Sequence, residues 1–280
     1  MNNEILDIIN KRASCRNFLE KEIPADILNQ ILDAAIKAPS SSGFQDYSII
    51  KVTNIDIKEK LVEYSRNQSF IAKAPVSLIF CIDYRRTKRI NEVQSTPFNE
   101  TNNFMNLWMT IIDTAISAHT LCLAAESFDL RSVYIGNILN MSDKVSELLK
   151  LPDYVLPSIM VTLGYPKNKI NTSRKFGRNV LVHDEEYHDI DILTLLNEYM
   201  NKYSSWNMKP NEKFINKIHE TAVKYHGLEY ADICKKGILE KGYISPYQYW
   251  FGYYYLDEEG FMGFKEYQSF MEKKGYNWMR

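Results

Sequence analysis

The sequence predicts a layered fold of the α+β or α/β class, and two observations carry this prediction. Amphipathic segments with a helical period alternate along the chain with short runs rich in β-branched residues. Two of these runs are almost continuously apolar, which is typical of strands buried on both faces. A chain of 280 residues that is 45% hydrophobic is long enough for one full core with a small appendage.

The elements follow in chain order. We predict a first helix at about residues 3–10 and a second in the segment DILNQILDAAIKA, which ends at Pro39. Three buried strands are expected in YSIIKVT, VSLIFCID and SIMVTLGYP. The run SVYIGNI predicts a fourth strand that follows the long central helix.

That long helix is expected between Phe104 and Phe128, and it is apolar on nearly every face. Its length would suit a membrane span, but five polar residues interrupt it: Asp113, Ser117, His119, Thr120 and Glu126. No Lys/Arg flank follows the positive-inside pattern. We therefore expect a buried central helix, shared across a subunit interface, and no membrane partner.

Composition narrows the classes of function and location. With 34 Lys and Arg against 35 Asp and Glu, no basic run indicates a nucleic-acid partner. The polar start MNNEILDIIN has no apolar signal-peptide core, so the expected location is cytoplasmic. The four cysteines show neither a CxxC pair nor a zinc spacing. We expect reduced core thiols and no metal site.

The segment RASCRNF supplies the first candidate binding residues, Arg12, Ser14 and Arg16. In an extended segment, residues two apart point the same way, so all three side chains are expected to face one ligand. Arginine forks match phosphate oxygens with two hydrogen bonds. The plainer interpretation, a solvated basic face, stays open at this point.

Two further segments have the chemistry of a ligand site. The loop APSSSGFQ ends a helix and offers hydroxyls, backbone N–H groups and the amide of Gln45, which suit a polar heterocycle or a ribityl chain. In YIGNI, Gly136 would let the backbone approach a flat ligand. A helix-terminating loop and a simple turn are the structural alternatives.

The order of these segments resembles the nitroreductase family of FMN-dependent oxidoreductases. RASCRNF is similar to that family's basic start, and APSSSGFQ is similar to its helix end with a following Gln. The stretch from IIDTAISAHTL to SVYIGNI resembles the central helix with the flavin-facing strand, and KVSELLKLPDYVLPSIMVTLGYP resembles the family's last core segment. The tail NVLVHDEEY resembles the subgroup of larger NADPH-dependent nitroreductases and flavin reductases.

The resemblance implies a nitroreductase-like α+β fold with three layers, a mainly antiparallel central sheet and a homodimeric assembly. It also implies FMN contacts at named positions. The phosphate and ribityl contacts fall on Arg12, Ser14 and Arg16, and the ring contacts fall on Ser40, Ser41, Ser42, Gln45, Gln68, Tyr134, Ile135, Gly136 and Asn137.

A second phosphate anchor departs from the family pattern. The family's Lys-x-Arg pair falls on Ser173 and Lys175, with Arg174 between them, so Arg174 and Lys175 are the candidates for this anchor. Arg131 stands where glycine is common, and we weigh a role at a cofactor phosphate equally against a surface role.

The chemistry implied by the resemblance is hydride transfer from NADPH or NADH through FMN to a small-molecule acceptor. The expected acceptors are nitroaromatics, quinones or flavins in a ping-pong cycle that needs no catalytic side chain, since a cation near the flavin stabilises its reduced form. The alternatives are a non-catalytic FMN-binding or interaction protein, and a specialised reductase or dehalogenase on the same fold.

The resemblance covers residues 4–199, and we predict one domain at 1–204 and a C-terminal extension at 205–280. SSWNMKPNEK is the candidate linker, and the extension is rich in aromatic residues. It is either an appendage packed on the core or a lid over the flavin, with Tyr247, Tyr249, Trp250 and Tyr253 as stacking candidates. A final helix is expected to carry Phe264, Tyr267, Phe270 and Met271 on one face.

Overall fold

The computed structural model describes residues 3–255 and 262–277, and the chain divides into two compact units. The first unit runs to Thr172 and resumes at Met262, and the second begins at Ser173. This division falls at 172/173, whereas the domain boundary predicted from the sequence is at 204/205.

The first unit is built on an antiparallel sheet. Its strands are β1 (Tyr47–Val52), β2 (Val76–Asp83), β3 (Arg131–Ile135) and β4 (Val155–Gly164). Their spatial order is β1-β2-β4-β3, and each neighbouring pair is antiparallel. The class is therefore α+β, and each of the four predicted strands is present.

The helices of this unit surround the sheet. They are α1 (Glu4–Lys11), α2 (Ala25–Ile36), α3 (Ile55–Tyr64), α4 (Phe70–Lys73), α5 (Tyr84–Val93), α6 (Phe104–Glu126), α7 (Ser142–Leu148) and the last helix, α13 (Phe264–Lys273). Asn3 begins α1 by accepting a hydrogen bond from the Leu6 N–H, and Asn54 caps α3 in the same way.

Two cores on opposite faces of the sheet give the three layers. Along β2, Leu78 and Phe80 pack on the side of α2 and α6, and Ile79 and Cys81 pack on the side of α3 and α7. Because successive side chains of a strand point to opposite faces, an apolar run such as VSLIFCID has to be covered on both. The three-layer prediction is thus confirmed.

Helix α13 completes a third core in the first unit. Phe270, Met271 and Tyr276 are buried there together with Tyr84 and Leu107. The Tyr154 N–H donates to the Lys274 carbonyl at 2.9 Å, which ties the chain end to the start of β4. The predicted single apolar face is wrong at its first position, since Phe264 is 71% exposed. Residues 259–261 of the predicted final helix lie outside the described part of the chain.

The second unit is helical. Its helices are α8 (Arg178–Leu181), α9 (Ile192–Lys202), α10 (Glu212–His226), α11 (Leu228–Lys241) and α12 (Pro246–Tyr249), which continues as a π-helical turn at Trp250–Tyr254. Ile215, Ile218, Ile238 and Ile244 form its core. The candidate linker lies inside this unit, where the Trp206 indole N–H donates to the Ile244 carbonyl at 2.7 Å.

Helix α6 is long and apolar enough to cross a membrane by length and composition alone. In the fold, one side of it is buried: Leu121, Cys122 and Ala125 pack in the core that α2 and the sheet share. This is the packing of a core helix, as the sequence predicts. The other side carries exposed apolar residues, among them Met105 and Trp108, which are 61% and 53% exposed.

Candidate functional site

The basic segment of the N-terminus runs beside β3. Ser14 pairs with Ser132 in a parallel bridge, and the Cys15 N–H donates to the Ser132 carbonyl at 3.0 Å. Burial alternates along this segment, so Ser14 and Arg16 are exposed while Cys15 is buried. Burial also raises the pKa of the Cys15 thiol, which argues against a nucleophilic role.

Arg12 differs from Ser14 and Arg16. Its guanidinium carbon lies 5.9 Å from the centre of the Tyr134 ring, and its Nε and Nη2 are buried without a hydrogen-bond partner among the described residues. Arg12 is the C-cap residue of α1 and already has an extended backbone, with φ −60° and ψ 125°. The expectation that all three side chains face one ligand stays a prediction.

A buried carboxylate lies near Arg12. Glu126, the last residue of α6, accepts from Arg131 at 2.9 Å, and its other oxygen is buried without a hydrogen-bond partner in the part of the chain described. Burial raises the pKa of Glu126 to about 7, although Arg131 and Arg12 both act to lower it. Arg131 is therefore an internal ion-pair partner at the start of β3, and not a surface residue or a free cation for a cofactor phosphate.

The Ser40–Gln45 loop is fastened to α6. The Ser41 N–H donates to both carboxylate oxygens of Asp113, at 3.1 and 3.0 Å. Burial raises the pKa of Asp113, and the hydrogen bond from Ser41 opposes that shift. The Gln45 amide donates to the Ile36 carbonyl at 2.8 Å. Ser42 and Gln45 have φ values of 50° and 53°, so the loop is strained at two non-glycine residues.

At the far end of β3 the backbone is open. Gly136 is exposed, and a Cβ atom built on it meets nothing within 4 Å. The Asn137 amide donates to the Tyr64 carbonyl at 3.2 Å, and the Gln68 amide donates to the Ser65 carbonyl at 2.9 Å. The turn that carries Gln68 is therefore attached to the end of β3, which brings two separate predicted segments together.

The candidates for the second anchor belong to the second unit. Both Arg174 and Lys175 are exposed. The Arg174 guanidinium donates to the Asn201 carbonyl at 3.2 Å and to the Ser204 hydroxyl at 3.1 Å. Their role at a phosphate stays a prediction.

The arrangement in the first unit fits a flat, anionic cofactor. Arg16 makes no hydrogen bond or ion pair to any residue in the described ranges, and Arg12 has buried donors without acceptors. The open backbone at Gly136 leaves room for a planar ring. Within residues 3–255 and 262–277, no cluster of His, Cys, Asp and Glu has the geometry of a metal site.

Three residues that position this site were not identified from the sequence: Asp113, Glu126 and Arg86. The Arg86 guanidinium donates to the carbonyls of Gln45 and Tyr47 and so braces the end of the loop. A signal for the two acids is present in the sequence, since each interrupts the long apolar helix. An ionisable group on a buried face needs a partner, and each of these acids has one at the site.

Comparison with known proteins agrees with the fold. A model described as the nitroreductase family matches residues 9–165. The NAD(P)H FMN reductase of Bacillus subtilis is 30% identical over 209 residues, which cover 71% of this chain and 84% of the relative. Nitroreductase A from Vibrio parahaemolyticus is 30% identical, has a TM-score of 0.69, and aligns with 74% of this chain over 86% of its own length.

One solved structure resembles the whole chain. NfrA2 of B. megaterium aligns over 100% of both chains with a TM-score of 0.72 at 24% identity. At that identity the likeness concerns the fold alone. It extends through the C-terminal residues, which the sequence resemblance leaves out.

Proposed function

Because the chain belongs to the nitroreductase family, we propose that this enzyme passes electrons from NADPH or NADH to a nitroaromatic, quinone or flavin acceptor in a ping-pong cycle. FMN is its cofactor, as in the FMN reductase relative from Bacillus subtilis. Bound FMN supplies the two-electron redox centre between donor and acceptor. The cytoplasm is the proposed location, and free cysteines in the described chain agree with it.

The chain's own residues would bind and orient the cofactor. Arg12, Ser14 and Arg16 would hold the phosphate and the ribityl chain, with Arg174 and Lys175 as candidates for a second anchor. The loop Ser40–Gln45, the side chain of Gln68 and the segment Tyr134–Asn137 would lie along the ring. Hydrogen bonds from Ser41 to Asp113 and from Asn137 to Tyr64 fix two of these segments before any ligand arrives, which reduces the ordering cost of binding.

One observation supports this proposal most directly. An exposed, unpaired cation and an open backbone position flank the same strand, since Arg16 follows the bridge to Ser132 and Gly136 follows the last residue of β3. A molecule with an anionic end and a planar end matches that pair of features. Since the bridge contact is near the start of the strand and Gly136 follows its end, the two features are separated by about the length of β3.

A homodimer is the proposed assembly. The exposed side of α6 is largely apolar, and helix α1, which contacts α6, carries the exposed apolar residues Ile5, Leu6 and Ile9. Monomeric proteins rarely expose a contiguous apolar patch of this kind, and a second copy of the chain would cover it. Each flavin site is then expected to draw residues from both subunits.

The test is the oxidation of NADPH and NADH with a quinone acceptor, together with FMN titration of the Arg16→Ala variant. We expect turnover in the native enzyme and a loss of FMN binding of about 1.5–3 kcal/mol in the variant, the range for a hydrogen bond to a charged group. Lys11→Ala, which removes an exposed cation outside the site, serves as the control. FMN that binds but is reduced by neither nucleotide would indicate a non-catalytic flavin-binding protein instead.

A further inference from the structure

A second candidate site lies in the first unit, in a cavity of about 700 Å³ between α5 and the segment that leads into β4. Its volume is within the range of small-molecule pockets, about 300–1,000 Å³. None of the residues predicted to contact the flavin lines it. The lining comes from three places: Ile50 of β1, residues 83–94 along α5, and residues 149–155.

The cavity carries an excess of positive charge. Arg85 and Arg89 stand one helical turn apart on α5, and Lys150 lies on the opposite wall. All three are exposed, and their side chains make no hydrogen bond or ion pair to any residue within 3–255 and 262–277. The remaining charged groups of the lining are engaged with each other or with the loop, because Asp83 accepts from Ser48 and Arg86 donates to the Gln45 and Tyr47 carbonyls.

Glu92, on the same helix, accepts from Lys88, and Lys88 does not line the cavity. The carboxylate in the lining is that of Asp83, which is buried and engaged with Ser48 and Arg86. Three cations thus face one space together with a single carboxylate of the lining that already has partners. Like charges so arranged repel each other, and a dianion between them would remove that repulsion.

The rest of the wall is apolar. Ile90 and Val93 of α5 are exposed, and Val93 is 81% exposed. On the other side the wall is formed by Leu149, Leu151, Pro152 and Val155. A hydrated ion such as inorganic phosphate would gain nothing from these side chains, whereas an apolar body attached to the anion would bury them.

We propose that this cavity binds a phosphate monoester that carries an apolar or aromatic body. The phosphate lies against Arg85, Arg89 and Lys150, and the body lies against the apolar wall. A monoester is a dianion above about pH 7, which matches three unpaired cations better than a monoanion does. A nucleic acid is a poorer match, because the basic residues surround a single cavity with apolar walls instead of forming a track for a repeating backbone.

The test is calorimetric titration of the FMN-loaded enzyme at pH 8 with 1-naphthyl phosphate. Loading with FMN fills the flavin phosphate site beforehand. We expect 1-naphthyl phosphate to bind at least tenfold more tightly than either inorganic phosphate or 1-naphthol. Inorganic phosphate lacks the apolar body, and 1-naphthol lacks the phosphate. Equal affinity for inorganic phosphate would overturn the proposal and leave a simple anion patch.

Variants distinguish this cavity from the rest of the surface. We expect the double variant Arg85→Gln, Arg89→Gln to lose at least tenfold in affinity for 1-naphthyl phosphate. Val93→Asp changes a side chain exposed to solvent and should lose a similar factor through repulsion. Lys88→Gln removes a cation from the same helix but not from the cavity, and should bind within twofold of the native enzyme.

Three results would contradict the proposed binding of a phosphate monoester in this cavity. The first is unchanged binding in both the arginine and the Val93 variants, and the second is an equal loss in Lys88→Gln. The third is co-sedimentation with phosphatidic acid vesicles that depends on Arg85 and Arg89, which would assign the same chemistry to a membrane surface. Oxidation of NADPH serves as a separate readout, so a failure of the flavin proposal and a failure of this one are distinguishable.

Discussion

The two sides of helix α6 depart from the usual distribution of residues, because the buried side mixes polar with apolar side chains and the exposed side is largely apolar. The buried side holds polar groups at Thr110, Asp113, Thr114, Ser117 and Glu126. The exposed side is largely apolar, with residues such as Met105, Trp108, Ile112 and Ile116. A surface helix of a monomer normally presents the opposite pattern.

The comparison shows that the two sides of α6 have different roles. The inner polar groups have partners that hold other elements: Thr110 bonds the Tyr84 hydroxyl, Ser117 donates to the Ala35 carbonyl, and Asp113 accepts from Ser41. The outer apolar groups have no such partners within the described chain, which is the state expected of a surface that another subunit covers. One helix thus organises the interior of a subunit and offers the contact to the next.

The largest expected effect is on the outer side. Trp108→Glu places a charge in the centre of the apolar surface, and we expect the dimer dissociation constant to rise at least 100-fold, about 3 kcal/mol, because buried Trp residues dominate interfaces. Sedimentation velocity measures the change. Ile55→Glu, an equal substitution at an exposed apolar residue on α3, should leave the assembly intact. A Trp108→Glu protein that remains dimeric at micromolar concentration would show that the outer side is not the interface.

The inner side is expected to respond to pH through Glu126. Its pKa is raised from 4.5 to about 7, so the folded state binds this proton more tightly than the unfolded chain does. The contribution of this group to stability is complete below pH 4.5 and is lost as the pH rises to about 7, a loss of about 3 kcal/mol at 1.36 kcal/mol per unit.

Glu126→Gln removes that titration. Relative to the native protein, the variant should gain about 3 kcal/mol in free energy of unfolding between pH 4.5 and pH 8. Urea unfolding at the two pH values, with FMN saturating, measures the difference. The exposed Glu59→Gln is the control and should show no such trend. A pH-independent difference between the native protein and Glu126→Gln would mean that folding does not raise the pKa of Glu126.

The smallest expected effect concerns the link from α6 to the flavin loop. Asp113→Ala removes the acceptor of the Ser41 N–H, and we expect FMN affinity to fall about 5- to 30-fold, the equivalent of about 1–2 kcal/mol. Asp113→Asn keeps one acceptor oxygen and should recover most of the affinity. Thr114→Ala removes a hydroxyl from the same helix that bonds Ser158. If Thr114→Ala loses as much FMN affinity as Asp113→Ala, the loss in Asp113→Ala reflects lower stability of the fold and not the hydrogen bond to Ser41.

Much of the fold could be predicted because two of its strands, β2 and β4, are almost continuously apolar. VSLIFCID gives the bounds of β2 directly, Val76–Asp83. The start of β4 is harder to predict from the sequence. Pro157 has no backbone N–H to donate, which suggests that the strand begins only after it. The structure continues the strand back to Val155, and Pro157 pairs with Cys81 at the point where the register shifts. Proline is tolerated at such an irregularity.

The site was predictable in its segments and less so in the direction of its side chains. Local spacing identified RASCRNF, but not that Arg12 ends a helix and turns towards Tyr134. Tyr134 lies 122 positions later in the chain, and no local pattern contains that contact. Asp113 and Arg86 were missed for the same reason, because each acts on the Ser40–Gln45 loop from a distant element.

The return of the chain end to the first unit has a consequence for biosynthesis. Tyr84, Leu107 and Leu156 belong to a core that Met271 and Tyr276 complete. A ribosome makes the chain from its N-terminus at about 5–20 residues per second, so these apolar side chains emerge many seconds before the helix that covers them. The first unit therefore cannot reach its native packing until α13 has emerged from the ribosome. Until then the apolar side chains of this core remain exposed to solvent and open to non-native contacts.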